Sequence, residues 1–224
     1  MIYITGDTHV PIDISKLNSK HFFSKKLTKE DYVIICGDFG GLWAGNGEDS
    51  YWIKWLDNKS WTTLFVDGNH ENFNLLYSYK KEDWNGGKIR KISPSVFHLC
   101  RGEVFNLYGK KFFTFGGARS QDISSRKEGA TWWREEMPTK KEMEYGLENL
   151  KKNNNKVDYI ITHCCPYSVE REISNWFEKN SLTSYFDFIK DNIEFSNWYF
   201  GHYHLDKIIN DKFTCHYNSI ERLI

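Results

Sequence analysis

Apolar and polar residues follow two different periods along the chain. Short runs rich in β-branched and aromatic residues alternate with stretches in which apolar residues recur at helical spacing. This alternation predicts a mixed α/β fold built from packed layers of strands and helices. We predict strands at residues 2–5, 32–36, 62–66, 96–99, 103–107, 111–115, 158–162, 198–200 and 213–218, and helices at residues 50–57, 139–152, 169–178 and 182–191.

Local signals indicate how these elements connect. Residues 103–107 and 111–115 flank Tyr108-Gly109-Lys110 and predict an antiparallel hairpin. The strand–helix–strand stretches near both ends of the chain favour parallel pairing instead. A two-sheet β-sandwich flanked by helices accommodates both kinds of pairing. Because the chain has no internal repeat, low-complexity tract or Pro/Gly-rich linker, we expect residues 1–224 to form a single domain.

The stretch 118–138 is charged and polar, includes Trp132 and Trp133, and shows little periodicity. It ends at Thr139, which has the Thr-x-x-Glu spacing of a helix capping box with Glu142, so we predict a long loop that leads into a helix. Because aperiodic loops of this length in compact domains are commonly functional, we predict a substrate-facing flap. The alternative is that the two tryptophans only anchor the loop to the core.

Charge and cysteine usage narrow the class of protein. Thirty basic residues balance thirty acidic ones, so no global electric field recruits nucleic acid or an anionic membrane. The five cysteines form an odd set without a Cys-x-x-Cys pair, which argues against a disulfide framework or a zinc knuckle and for a reducing compartment. No apolar run approaches the roughly 20 residues that span a bilayer, and the chain opens with a strand-like stretch rather than a signal peptide. We therefore expect a cytoplasmic protein with no membrane contact.

Five short signatures each follow directly on a predicted strand. Loops beyond the carboxyl ends of strands converge on one rim of an α/β sheet, so side chains far apart in the sequence can meet there. The glycines in these signatures permit tight turns and a close approach of the backbone. The five signatures are Gly6-Asp7-Thr8-His9, Gly37-Asp38, Gly68-Asn69-His70-Glu71, Thr162-His163 and Gly201-His202-Tyr203-His204.

The residue types in these signatures suit a site for two metal ions. Carboxylate, imidazole and amide oxygen ligands favour Mn, Fe, Zn or Ni. In Asp7-x-His9 and His202-x-His204, the alternate residues can project from an extended segment towards one ion or one pair of ions. Asp38 follows a buried strand and is the obvious bridging carboxylate. Two metals about 3.5–4 Å apart can stabilise the attacking and leaving oxygens of an in-line displacement, and they generate hydroxide near neutral pH.

This series of signatures resembles the calcineurin-like metallophosphoesterase superfamily, and the resemblance extends from residue 6 to residue 204. It implies a β-sandwich flanked by helices, two divalent metal ions (Mn first, with Fe, Zn or Ni as alternatives) and hydrolysis of a phosphate ester by metal-activated water. Carried over position by position, it makes Asp38 the bridging, catalytic carboxylate. It places His70 beside the substrate, where the histidine would donate a proton to the leaving oxygen or stabilise charge on the phosphoryl group. It assigns the first metal to Asp7, His9 and His204, and the second metal to Asn69, His163 and His202.

The chain differs from the protein Ser/Thr phosphatase branch of this superfamily at positions that bear on the choice of substrate. That branch has Gly-Asp-x-Val-Asp-Arg-Gly where residues 37–43 read Gly-Asp-Phe-Gly-Gly-Leu-Trp, and it has Arg where this chain has Asp67. Two phosphate-clamping arginines are thus absent from their expected positions, as is the aspartate that supports the catalytic histidine. If Asp67 is charged and near the site, it repels a phosphoprotein dianion. We therefore predict that the substrate is a phosphomonoester or phosphodiester of a small molecule or nucleotide, and that the arginines of the 118–138 loop contact it: Arg119, Arg126 and Arg134.

Two other functions are compatible with the sequence. A nuclease would use the same metals but needs a groove with basic and stacking residues, for which Trp132-Trp133-Arg134 is the candidate. A catalytically silent binding scaffold would keep the fold. Such proteins lose ligands or the histidine after the asparagine, whereas all seven ligand positions and His70 are present here. We infer no obligate protein partner.

The remaining cysteines and histidines suggest structural roles. Cys164 and Cys165 follow His163 directly, but a cysteine phosphatase needs an Arg-bearing phosphate loop after the cysteine, and Pro166-Tyr167-Ser168 supplies none. We predict that both cysteines are small buried residues at a strand end. We predict a structural role also for the histidines that have no metal-like partners nearby in sequence, which are His21, His98 and His216.

Overall fold

The computed structural model describes residues 1–22, 26–174 and 178–224. In these ranges the strands are β1 (Ile2–Thr5), β2 (Tyr32–Ile35), β3 (Thr62–Phe65), β4 (Lys81–Trp84), β5 (Gly87–Ser93), β6 (Val96–Leu99), β7 (Glu103–Leu107), β8 (Lys110–Phe115), β9 (Tyr159–Thr162), β10 (Asn197–Phe200), β11 (Lys207–Ile209), β12 (Phe213–Cys215) and β13 (Ile220–Arg222). The α-helices are α1 (Gly47–Asp57), α2 (Phe73–Ser78), α3 (Lys140–Lys152), α4 (Tyr167–Ile173) and α5 (Ser181–Asn192).

The strands form two mixed sheets. The first sheet has the order β13-β1-β2-β3-β6-β5-β4, and its central strands β1, β2, β3 and β6 are parallel. The second has the order β11-β12-β10-β9-β8-β7, with β12, β10, β9 and β8 parallel. The predicted β7–β8 hairpin is antiparallel. The mixture of parallel and antiparallel pairing predicted from the sequence is therefore confirmed.

Each sheet is buried on both faces. Ile34 of β2 and Phe112 of β8 belong to the apolar cluster between the two sheets. The next residue along each strand faces outward: Val33 packs in the cluster beneath α1 and α2, and Phe113 packs in the cluster that contains Phe186 of α5. Burial on both faces explains why these strands read as almost continuous apolar runs rather than as alternating ones. The architecture is the predicted α/β sandwich of two sheets flanked by helices.

All nine predicted strands are present, and eight match the prediction to within one residue at each end. The ninth was predicted at residues 213–218 but ends at Cys215. Beyond this point the backbone N–H groups of Tyr217 and Asn218 donate to the carboxylate of Asp206. Because a side chain already satisfies these N–H groups, they do not extend the sheet.

The sequence analysis missed four strands (β4, β5, β11 and β13) and the helix α2. The β4–β5 hairpin carries a recognisable signal, since Asn85-Gly86 joins its two strands and both residues have positive φ, 47° and 91°. A two-residue Asn-Gly turn of this kind matches the twist of the flanking strands. The strand Lys81–Trp84 has no apolar pattern that would predict it, because it lies at the sheet edge and is charged and largely exposed.

The predicted helices are present, with different starting points. Helix α1 begins at Gly47, three residues before the prediction, because the side chain of Asn46 accepts hydrogen bonds at its N-terminus. The predicted capping box of Thr139 and Glu142 is present at the start of α3. Helix α4 starts earlier than predicted and ends at Ile173, and residues 175–177 of the predicted helix 169–178 lie outside the described residues.

Two expectations about the whole chain can be compared with the structure. Within the described ranges, none of the helices combines the length and the apolar character needed to cross a membrane. The five cysteines are buried and unpaired. Cys164 and Cys165 are buried side chains at the end of β9, as predicted, and burial raises the pKa of both thiols.

Candidate metal centre

The five signatures meet at one rim of the sandwich. Asp7, Asp38 and Asn69 follow β1, β2 and β3, which are parallel neighbours in the first sheet. His163 and His202 follow β9 and β10, which are parallel neighbours in the second sheet. Because the carboxyl ends of parallel strands lie on the same edge, the two sheets deliver polar side chains to a common site.

Two groups of side chains at this rim could hold metal ions. Within each group, the candidate ligand atoms lie within 4.8 Å of one another, and Asp38 belongs to both groups. The amide oxygen of Asn69 adjoins the second group, 3.2 Å from Nε2 of His163. The first group is Asp7, His9, Asp38 and His204, and the second is Asp38, His163 and His202. The structure thus brings together all seven residues that the sequence analysis assigned to metal ions.

Hydrogen bonds orient the histidines of both groups. Nδ1 of His163 donates to the carbonyl oxygen of Cys36 at 2.8 Å, which turns Nε2 towards Asp38, 3.1 Å from Oδ1. Nδ1 of His9 donates to Oδ2 of Asp13 at 2.8 Å, and Nε2 lies 3.1 Å from Oδ2 of Asp38. A histidine whose outer nitrogen donates to a carbonyl or carboxylate is a preorganised metal ligand, because the inner nitrogen presents its lone pair.

The carboxylate of Asp7 fits a bound cation. Oδ1 accepts a hydrogen bond from the backbone N–H of His202 at 3.0 Å. Oδ2 is buried and accepts no hydrogen bond, and Nε2 of His204 lies 3.2 Å from it. A buried carboxylate oxygen without a partner is costly. A metal ion between Asp7 and His204 would remove this cost, so the donor set fits the metal that its chemistry implies.

The backbone at the site is held in an uncommon conformation. His9, Asp38, His202 and His204 have positive φ values of 32°, 46°, 69° and 51°. Only a few per cent of residues other than glycine adopt positive φ, and such strain is concentrated at functional sites. Glycine is required at Gly68, because a Cβ atom there would lie 2.1 Å from Oδ1 of Asp38.

The charges of the site favour a cation. Burial alone would raise the pKa of Asp38, but the positive charge and hydrogen bond of His163 outweigh burial and hold this pKa well below its usual range. Burial would lower the pKa values of His9 and His163, yet interactions with Asp38 raise both to about 9. Burial lowers the pKa of His202 to about 4. Protons on His9 and His163 therefore supply the positive charge that a metal ion would otherwise provide.

His70 lies at the mouth of this site. Its backbone N–H donates to Oδ1 of Asp38 at 2.8 Å, and its ring centroid is 5.1 Å from that of His9. Nη2 of Arg126 lies 3.4 Å from Nε2 of His70. Nε of Arg126 pairs with Oδ1 of Asp122 at 2.8 Å. Arg126 and His70 both line the cleft at the metal centre, which has a volume of about 650 Å³.

The other two arginines of the 118–138 loop are placed differently. Arg119 forms an ion pair with Glu178, and Arg134 forms one with Glu128, and both side chains are exposed. Trp133 is buried in the apolar core, where it packs edge-on against Trp43 with 5.5 Å between ring centroids. This tryptophan therefore anchors the loop, whereas the segment around Arg126 faces the metal centre.

Asp67 does not meet the condition under which it would repel substrate. Its carboxylate is buried, and Oδ1 accepts a hydrogen bond from Nε2 of His98 at 2.9 Å. Oδ2 accepts from two nitrogens of Arg101, with Nε at 2.9 Å. Burial would raise the pKa of Asp67, but the positive charge of Arg101 holds it well below its usual range. The charge is thus neutralised within the protein. His98 thus supports the buried carboxylate and belongs to neither candidate metal-ligand group.

Sequence reasoning missed three residues that support the site. Asp13 orients His9, as described above. Nζ of Lys16 donates to the backbone carbonyl of Asp7 at 2.5 Å. Trp43 lies beside His70, with 6.3 Å between ring centroids. The spacing of four residues between His9 and Asp13 is a usable signal, but the positions of Lys16 and Trp43 depend on contacts that only the fold creates.

The comparisons with known proteins agree with this geometry. No curated protein sequence gives a significant match. The family model described as calcineurin-like phosphoesterase matches residues 1–206, a range that includes every candidate ligand and His70. Members of this family bind divalent metals and hydrolyse phosphate esters. The chain therefore belongs to the calcineurin-like phosphoesterase family.

Proposed function

We propose that the protein hydrolyses a phosphomonoester or phosphodiester of a small molecule or nucleotide at a binuclear metal centre. The observation that supports this most directly is the position of Asp38, which belongs to both ligand groups. One ion would be held by Asp7, His9 and His204, the other by Asn69, His163 and His202, with Asp38 between them. Nitrogen and oxygen donors without thiolates suit Mn first and Fe, Zn or Ni as alternatives.

Residues of the chain have separable tasks in this reaction. Two bound divalent cations would supply an activated water and stabilise charge on the phosphoryl oxygens. His70 is placed to donate a hydrogen bond or a proton to the phosphoryl group or the leaving oxygen, because it lies at the mouth of the cleft beside His9. Asp13 and Cys36 hold the inner nitrogens of His9 and His163 towards Asp38.

Arg126 takes the place of the phosphate-clamping arginines that are absent from their usual positions. It reaches the site from the 118–138 loop and contacts His70, and its planar guanidinium suits two oxygens of one phosphate. Asp122 holds it there through Nε, and Nη1 donates to the backbone carbonyl of Thr131 at 3.3 Å, so Nη2, beside His70, is the nitrogen placed for a ligand. Among the described residues that line the cleft, Arg126 is the one arginine or lysine. A single such cation fits one small ester better than the multiply charged backbone of nucleic acid.

We also propose a location in a reducing compartment, the cytoplasm. The five buried, unpaired thiols fit such a compartment. Their burial raises the pKa of Cys164 and Cys165 and so suppresses the reactive thiolate. The cysteines are therefore structural rather than catalytic in this proposal.

The test uses purified protein loaded with Mn and two chromogenic substrates, p-nitrophenyl phosphate and bis(p-nitrophenyl) phosphate. We expect metal-dependent release of nitrophenol from at least one of them, and its loss in the Asp38→Asn variant. Glu221→Gln, a carboxylate replacement outside both ligand groups, serves as the control and should retain activity. The proposal would be contradicted if metal-loaded protein hydrolysed neither of the two esters.

A further inference from the structure

A second cleft, with a volume of about 480 Å³, lies apart from the metal centre. Its walls come from β4, β5 and β6 of the first sheet, from β7, and from the helices α2 and α3. None of the residues that line it also lines the cleft at the metal centre. A volume of this size is within the range of small-ligand pockets.

Positive charge dominates the walls of this cleft. The carboxylates there are already engaged: Asp67 with Arg101 and His98, Glu103 with the hydroxyl of Tyr145 at 2.9 Å, and Glu142 with the capping box of α3. Of the cations there, Lys88 is paired with Asp83, which does not line the cleft. The cations outnumber the three carboxylates, and they are Lys81, Lys88, Arg90, Arg101 and Lys141.

Two buried arginines present donors that have no partner. Arg90 and Arg101 are 9% and 7% exposed, and neither Nε of Arg90 nor Nη1 of Arg101 makes a hydrogen bond. Each guanidinium is fixed by its other nitrogens, since Nη1 of Arg90 donates to the carbonyl of Tyr79 at 2.7 Å and Arg101 is bound to Asp67. The carboxylate oxygen of Glu142 nearest to Nη1 of Arg101 is 3.8 Å away, beyond hydrogen-bonding distance.

His98 adds an acceptor beside these donors. It is paired across neighbouring strands with Arg90, so the two side chains share a face of the sheet. Nε2 of His98 faces the carboxylate of Asp67, which can only accept, so Nε2 carries the proton. Nδ1 is then a lone-pair acceptor, and it too is buried without a partner. Three residues that line the cleft therefore each keep one unpaired polar atom: two guanidinium donors and one imidazole acceptor.

We propose that this cleft is a binding site for inorganic phosphate. Phosphate is an anion whose oxygens accept hydrogen bonds from Arg90 and Arg101, and near neutral pH it keeps at least one proton that Nδ1 of His98 can accept. The rim lysines Lys81 and Lys141 add long-range attraction. The proposal does not depend on which ester the metal centre hydrolyses.

The same three atoms select against related anions. Sulfate has the shape and charge of phosphate but no proton near neutral pH, so one of its oxygens would face the lone pair of Nδ1. A phosphomonoester such as methyl phosphate, whose second pKa is about 6, is mostly an unprotonated dianion at neutral pH. A site that leaves a buried polar group unpaired with the wrong ligand discriminates strongly against it.

The experiment titrates metal-free protein with inorganic phosphate at pH 7.5 and follows binding by isothermal calorimetry. Metal-free protein is used because it lacks the two cations that would hold phosphate at the other centre. We expect one phosphate per chain, and affinity for sulfate and for methyl phosphate that is lower by about tenfold or more. Arg90→Gln should weaken phosphate binding by a similar factor, whereas Arg126→Gln, at the metal centre, should leave it unchanged.

If circular dichroism shows that Arg90→Gln does not fold, a matched pair of variants at exposed lysines tests the proposal instead. Lys141→Ala removes a rim charge of the cleft and should weaken binding, whereas Lys140→Ala, next to it in sequence but paired with Glu144, should not. Absence of binding, equal affinity for sulfate or for methyl phosphate, or equal effects of the two lysine variants would overturn the proposal. The last outcome would mean an adventitious ion only.

Discussion

Nη2 of Arg126 lies 3.4 Å from Nε2 of His70, although the two residues are 56 positions apart in the chain. The contact joins the 118–138 loop to the segment after β3. This segment carries Asn69 and also His70, whose backbone N–H donates to Asp38. In the proposed reaction it brings two donors for the phosphoryl group into the cleft that three members of the candidate metal-ligand groups also line, Asp38, His202 and His204.

The first prediction concerns Arg126 as the phosphate clamp. We expect Arg126→Ala to lower kcat/KM by roughly 10- to 100-fold, the loss of one charge-assisted hydrogen-bonded pair. Steady-state kinetics on p-nitrophenyl phosphate at saturating Mn measures this. Arg119→Ala and Arg134→Ala are matched controls from the same loop, and both should retain wild-type kcat/KM because their partners are Glu178 and Glu128. A loss in either control as large as that in Arg126→Ala would contradict the assignment.

The second prediction separates His70 from the metal ligands. We expect His70→Ala to lower kcat by roughly 10²–10⁴ while both metal ions remain bound, because His70 acts on the phosphoryl group. Turnover and metal content are measured on the same sample. His21→Ala, at an exposed histidine, is the control and should change neither. Unchanged turnover, or loss of a metal ion from His70→Ala, counts against this role.

The sequence predicts some elements and site residues of this protein better than others. The central strands could be predicted because burial on both faces makes them long apolar runs, and the candidate ligands could be predicted because they follow those strands directly. The edge strand β4 was missed because exposure allows it to be charged. Choosing Arg126 over Arg119 and Arg134 required the loop's path, which no period in the sequence encodes.

Asp67 is another residue whose surroundings could not be predicted from the sequence. Its charge and its place before Gly68 suggested repulsion at the metal centre, whereas Arg101, 34 residues later, neutralises it. The pairing joins the end of β3 to the turn after β6, which is the next strand in the sheet although not the next in sequence. Only the strand order, which the sequence analysis left open, brings these two residues together.

The third prediction follows from that buried ion pair. We expect Asp67→Asn to lower the free energy of unfolding by roughly 3–5 kcal/mol, because Arg101 would keep a buried charge without its partner. Urea denaturation of metal-free protein measures the change. Asp83→Asn removes an exposed carboxylate that pairs with Lys88 and should cost at most about 1 kcal/mol. Equal stability of Asp67→Asn and wild type would show that the pair is dispensable.

The fourth prediction concerns the class of substrate. We expect a lower kcat/KM for a phosphoserine peptide than for bis(p-nitrophenyl) phosphate at equal Mn concentration. A peptide monoester dianion gains most from several arginine clamps, and the cleft offers Arg126 where protein phosphatases have two arginines. A diester carries one negative charge less and loses less from their absence. A clearly higher kcat/KM for the peptide would remove the small-ester proposal.

The most direct test of the account is the metal content of the protein, because the central claim is that Asp38 joins two ligand sets into one binuclear centre. Protein saturated with Mn, freed of excess metal by gel filtration and analysed by plasma mass spectrometry should contain close to two ions per chain. Chelation should abolish hydrolysis, and Asp38→Asn should lose activity together with at least one ion. A single ion per wild-type chain, combined with an active Asp38→Asn variant, would contradict the account.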